Sequence, residues 1–135
     1  MIDHTGINVV NLALSKKFYE SVLSTLGYVV RLDFDSAVGF GANDPNNRDD
    51  PGGDFWISRG DPFFPRSHIA FRAPSEASVI AFYEAALAEG AIDNGAPGLR
   101  PHYHKRYYAA FVLDPDGYNI EAVFHGGMSN EGAVP

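Results

Sequence analysis

The chain has 135 residues, 45% apolar and 20% charged, which suits one folded domain with its own core. A formal net charge of −7 argues against a nucleic-acid binder working through a broad basic face, and no apolar run reaches the length of a membrane span. Cysteine is absent, which removes disulfides, thiolate metal sites and a cysteine nucleophile.

The opening segment, MIDHTGINVV, has no basic stretch followed by an apolar one. It does not read as a secretory signal, and a cytoplasmic location is expected. Residues 3–9 read as a strand. Asn11 is placed to cap a helix over 12–26, because its side chain can accept from the first free N–H groups. Phe18, Val22 and Leu26 recur at helical spacing, with Tyr19 and Leu23 beside them, so one face packs on a sheet. Gly27 supplies the left-handed stop. Tyr28–Asp35 and Val38–Gly41 read as strands, Ala42–Gly53 as a polar loop and Asp54–Arg59 as a short strand.

After the linker Asp61–Pro65 the order begins again. Ser67–Ala73 reads as a strand, and Ser75 caps a helix with Val79, Phe82, Tyr83, Ala86 and Leu87 on its buried face. Gly90 closes that helix. Ala91–Asn94 is a brief strand, and Gly95–Lys105, with its Gly and Pro, reads as loop or irregular edge. Arg106–Leu113 and Tyr118–His125 are strands joined by the turn Asp114-Pro115-Asp116-Gly117. The tail from Gly126 onward is small and polar, and flexibility is expected over 128–135.

A fixed offset connects the two halves. His4 and His68 stand 64 residues apart, as do Phe18-Tyr19-Glu20 and Phe82-Tyr83-Glu84, and Gly53 and Gly117. With a matching order of elements, this predicts an internal duplication. The fold class is therefore α+β: two βαβββ modules, about 1–60 and 66–127, side by side in one domain over 1–127. Their sheets would curve into a shared cup with the helices outside.

Two histidines at equivalent places invite a metal site. Glu121, set among Tyr118, Ile120, Ala122 and Val123, is a third candidate, because a carboxylate there is costly unless paired or metal-bound. Two imidazoles and one carboxylate can occupy one face of a divalent ion (iron, manganese, nickel or zinc) and leave positions for substrate. Each residue also has a plain role open to it: a hydrogen-bonded structural histidine, or a glutamate on the outward side of an alternating strand. His102 and His104 share a side in extended chain, with tyrosines following, so His102, His104 and Tyr108 are candidate acid–base and donor groups. Arg100 and Arg106 could pair with an anionic substrate, and Trp56 could wall a cavity. A solvated basic loop and an ordinary core tryptophan are the plain alternatives.

The order of elements, a histidine in each first strand, and the closing LDPDGYNIEAVFH together resemble the vicinal oxygen chelate superfamily. That group includes glyoxalase I, extradiol dioxygenases, fosfomycin-resistance enzymes and bleomycin-binding proteins. The resemblance covers about residues 2–125. It implies paired βαβββ modules, a cup-shaped site and metal ligands at His4, His68 and Glu121. It further implies a small-molecule substrate chelating one divalent ion through neighbouring oxygens, and a homodimer that in some members completes the site across its interface.

One departure stands out. The offset of 64 maps Glu121 onto Ile57, where glyoxalase I-like proteins carry a fourth, carboxylate ligand. The three-ligand pattern resembles the dioxygenase and fosfomycin-resistance branches more closely. Lyase, isomerase and dioxygenase chemistry all remain open. So do a metal-free binding protein of the bleomycin-resistance type and a structural or regulatory dimer with a vestigial site.

Overall fold

A computed structural model of the chain describes residues 1–44, 46 and 51–126; the tail over 128–135 lies outside the described residues. The elements run β1 Thr5–Val9, α1 Leu12–Ser24, β2 Tyr28–Asp33, β3 Ala37–Ala42 and β4 Phe55–Arg59 in the first half. The second half has β5 His68–Arg72, α2 Glu76–Ala88, β6 Ile92–Leu99, β7 Tyr107–Leu113 and β8 Asn119–His125. Two four-stranded mixed sheets result, ordered β1-β4-β3-β2 and β5-β8-β7-β6. The topology is the same in both, as a duplication requires.

The equivalence extends to the caps and turns. Asn11 accepts from Leu14 N at the start of α1, and Ser75 accepts from Ser78 N at the start of α2. Gly53 and Gly117 both take positive φ, 106° and 89°, just before the last strand of each module. Such backbone needs a residue without Cβ.

Alternation along the strands gives each sheet a packed face and an open face. Ile7, Val9, Val38, Phe40, Phe55 and Ile57 are buried on the helix side of the first sheet. Phe71, Ala110, Val112, Ile120 and Ala122 do the same in the second. The two packed faces merge into one core: Phe55 and Phe71 meet edge-on with ring centres 5.2 Å apart, and α1 touches α2. Polar bonds cross the same seam, with Tyr118 OH donating to Asn8 O at 2.7 Å and Val10 N to Asp116 Oδ1 at 3.2 Å.

Two expectations change. The brief strand at Ala91–Asn94 continues through the expected loop to Leu99. It runs at the sheet edge with register shifts beside Gly95 and Gly98, where Gly and Pro are tolerated. The face of α2 is also narrower: Val79, Phe82 and Ala86 are buried, but Leu87 is 39% exposed. Among the described residues of one chain, the two sheets share no hydrogen-bonded ladder.

Candidate functional site

Glu121 stands on the open face of the second sheet and is nevertheless buried, at 2% exposure. Its neighbours explain how a carboxylate is held there. Oε1 lies 2.9 Å from His68 Nε2, and Oε2 accepts from the Tyr107 hydroxyl. His68 Nδ1 lies 2.9 Å from the Asn119 carbonyl, a pure acceptor, so Nδ1 carries the hydrogen. In the neutral ring the Nε2 lone pair then points at a carboxylate oxygen. Two such lone pairs are held together by a positive species, either a proton or a metal ion. A 2.9 Å separation also matches adjacent ligands of an octahedral ion, about 3 Å apart. An imidazole anchored by its other nitrogen to a carbonyl is the usual arrangement of a metal-ligating histidine. His68 and Glu121 thus fit a divalent ion as two of its ligands.

The strand registers explain the pair. β5 and β8 run parallel with Ala70 opposite Glu121 and His68 opposite Asn119, so the histidine is one diagonal step from the carboxylate. β7 runs antiparallel with Phe111 opposite Glu121 and Tyr107 opposite His125. Tyr107 therefore shares the face and reaches along it over Ala109, whose small side chain leaves room. Burial, then the bond to Glu121, raises the Tyr107 pKa, so the phenol keeps its proton and donates. Tyr108 belongs to the other side and packs against the core, away from Glu121. The tyrosine at the carboxylate is thus its neighbour. Strand parity was the only available signal, and it could be used only once the register was known.

Beyond Tyr107 lies a second polar cluster. His104 Nδ1 accepts from the backbone N–H of Arg106 at 3.1 Å, and His104 Nε2 lies 2.9 Å from His125 Nδ1. The neutral pair therefore shares the Nε2 hydrogen of His104. Burial, then positive charge at His104 and Arg72, lowers the His125 pKa, against a smaller opposing effect of Glu121. His102 is exposed and packs on Tyr103, which in turn meets Tyr107. Arg100 lies over the Phe111 ring and is tied back to the carbonyls of Gly98 and Ala96. Phe111 in turn stacks on His68. Arg106 immediately precedes β7 next to this cluster and is half-buried.

His4 is elsewhere. It precedes β1, its side chain is 60% exposed, and Nδ1 lies 2.7 Å from Asp3 Oδ1. With Gly6, Trp56 and Ser58 it lines a hollow of about 390 Å³ on the open face of the first sheet. A larger cleft of about 810 Å³ separates the N-terminal segment from β5; Asp3, Thr5, Asp54, His68 and Arg72 border it. Among the described residues, no three His, Asp or Glu side chains gather as one ligand set.

The ladders also correct the counterpart of Glu121. Gly6 pairs with Trp56 as Ala70 pairs with Glu121, and Gly6 and Ala70 keep the offset of 64. The last strand of each module has slipped by one residue. Trp56, rather than Ile57, occupies the place equivalent to Glu121, while Ile57 is fully buried on the helix side. The Trp56 indole donates to Gly53 O at 3.2 Å and stacks on Phe34 at 14° between planes.

Two βαβββ modules, each a four-stranded mixed sheet backed by one helix, define a glyoxalase-like α+β fold. Residues 1–122 match the family model of the Glyoxalase/Bleomycin resistance protein/Dioxygenase superfamily, and the chain belongs to that superfamily. A glyoxalase/bleomycin resistance protein from Albidiferax ferrireducens is similar at 28% identity and TM-score 0.71, covering 90% of this chain and 95% of its own. A glyoxalase-related enzyme from Fulvimarina pelagi shares the fold at 18% identity and TM-score 0.67, covering 92% and 87%. The fosfomycin resistance protein FosX from Mesorhizobium loti does so at 18% identity and TM-score 0.64, covering 90% and 88%. No curated protein matches the chain. Among the described residues, no helix is long and apolar enough to cross a membrane.

Proposed function

We propose that the protein is a metal-dependent enzyme acting on a small molecule that chelates a divalent ion through neighbouring oxygens. The observation that carries this reading is the buried Glu121, held by Tyr107 and facing the Nε2 of a carbonyl-anchored His68. His68 and Glu121 would hold the ion from one chain, and His4 of the partner subunit in a homodimer would supply the third ligand. Bound there, the ion would act as a Lewis acid on the substrate oxygens.

The remaining steps belong to side chains. Tyr107 fixes the carboxylate so that one oxygen faces the site. Phe111 and His68 form a ring-lined wall, with Arg100 at its rim. The His104–His125 pair would exchange a proton with the substrate, as lyase or isomerase chemistry requires. The same face would serve dioxygenase chemistry with a redox-active ion.

The test is metal analysis of protein purified without added ions. One divalent ion per site is expected, and affinity should fall at least about a hundredfold in His4→Ala, His68→Ala and Glu121→Gln. Undiminished metal content in these variants overturns the assignment. A second reading, metal-free binding of the bleomycin-resistance type, is favoured by the Trp56–Phe34 stack, a flat platform for a ring-bearing ligand. Ligand-induced stabilisation that ignores chelator would select it.

A further inference from the structure

One cation on the open face of the second sheet is left over. Arg72 ends β5 opposite Val123, two residues beyond the Ala70–Glu121 pair. It therefore lies on the same face as His68 and one diagonal step from Glu121, on the other side. A buried carboxylate so near would ordinarily capture a guanidinium. Here both carboxylate oxygens are already engaged, by His68 and Tyr107. The acidic groups across the cleft are engaged too: Asp3 with His4 and Asp54 with the Tyr28 hydroxyl. Arg72 is exposed, borders the 810 Å³ cleft, and makes no hydrogen bond or ion pair among the described residues. The floor beside it is small and apolar, with Ala70, Ala109 and Val123. Its charge is felt across that floor at His125, whose pKa it helps to lower. In a chain of net charge −7, this is a local positive field aimed along the open face.

We propose that Arg72 is an anion-binding subsite of this face, so that the substrate joins a chelating head to a second anionic group. The head would lie at His68 and Glu121, and the second group, a carboxylate or a phosphorus oxyanion, would lie at Arg72, one diagonal step from Glu121 on the side away from His68. The planar fork of the guanidinium suits either anion through paired N–H donors. This inference rests on the metal-site reading above and narrows its substrate class.

The test uses full-length protein loaded with Mn²⁺ and titrated calorimetrically with three α-keto acids. Pyruvate has the chelating head alone, 2-oxoglutarate adds a distal carboxylate, and phosphonopyruvate adds a phosphonate. Wild type should bind at least one of the tailed acids about tenfold more tightly than pyruvate. Which tail gains tells carboxylate from phosphonate. In Arg72→Gln the advantage should fall to about one, with pyruvate and Mn²⁺ affinities unchanged, and Arg72→Lys should recover part of it. Equal binding of all three acids by wild type, or an unchanged advantage in Arg72→Gln, overturns the subsite alone. Failure of wild type to bind Mn²⁺ overturns the metal reading, and the subsite with it.

Discussion

Asp114 shows how much of the closing turn is scaffold. Its Oδ1 accepts from Asp116 N and Tyr118 N, both at 2.9 Å, and its Oδ2 accepts from the Tyr19 hydroxyl of α1. The turn before the Glu121 strand is thereby bolted to the helix of the other module. Burial pushes the Asp114 pKa up, and the three hydrogen bonds pull against that shift. A raised carboxyl pKa means the folded state holds the proton to higher pH than the unfolded chain. The buried charge thus costs stability at neutral pH, a cost relieved as pH falls through the folded value. Tyr19→Phe removes a donor to the ionised form, so it should lose about 1–3 kcal/mol at pH 7 and visibly less near pH 4. Thermal melts at the two pH values check this, and an equal loss at both would refute it. At this scale the sequence was partly legible. The offset and the closing motif singled out His68 and Glu121, which the structure pairs. Trp56 was named as a cavity wall, but its place as the counterpart of Glu121 escaped, as did Tyr107, because a one-residue slip and an unknown strand register each reverse which side chain faces the site.

The elements carry the packing constraints that residue patterns announce only faintly. Both helices and their caps could be read from Asn11, Ser75 and the apolar spacing, because those signals are local. The extension of β6 could not, since partners on β7 hold a strand that Gly and Pro would otherwise break. β3 gives the sharper case. A Cβ on Gly39 would stand 2.2 Å from Gly52 O and 2.6 Å from Trp56 Cζ2. Neither the backbone of that loop nor the stacked indole can yield cheaply. Gly39→Ala should therefore displace Trp56 and destabilise the first module by about 1–3 kcal/mol, as overpacking does. Gly41→Ala meets Gly53 Cα at 2.8 Å and should behave similarly. A shift of tryptophan emission together with a lower melting temperature is the expected readout. A native-like spectrum and melt for Gly39→Ala would show that the indole has another resting place.

At the scale of the molecule, the helix-side faces of both modules are consumed in one core, while the open faces carry the polar groups. His4 lines a hollow of the first sheet, and His68 with Glu121 occupies the second. The sequence could place these residues on first and last strands, but it could not say whether one chain unites them, since that depends on how modules pack. A three-ligand site then has two routes. Either the modules of one chain rearrange into a cup, or the first sheet of one subunit covers the second sheet of another. Twofold symmetry makes the second route self-consistent, because it builds two identical sites per dimer. The routes separate cleanly in a mixed dimer. His4→Ala spoils only the first-sheet contribution of its chain, and His68→Ala only the second-sheet contribution. If sites form across subunits, each heterodimer keeps one intact site, built from unmutated faces of both chains. Random pairing on coexpression should then restore about a quarter of the wild-type metal sites, although neither variant alone holds metal. If each site forms within one chain, every chain carries its own lesion and coexpression restores nothing. Metal content of the copurified, differently tagged heterodimer reads the outcome directly.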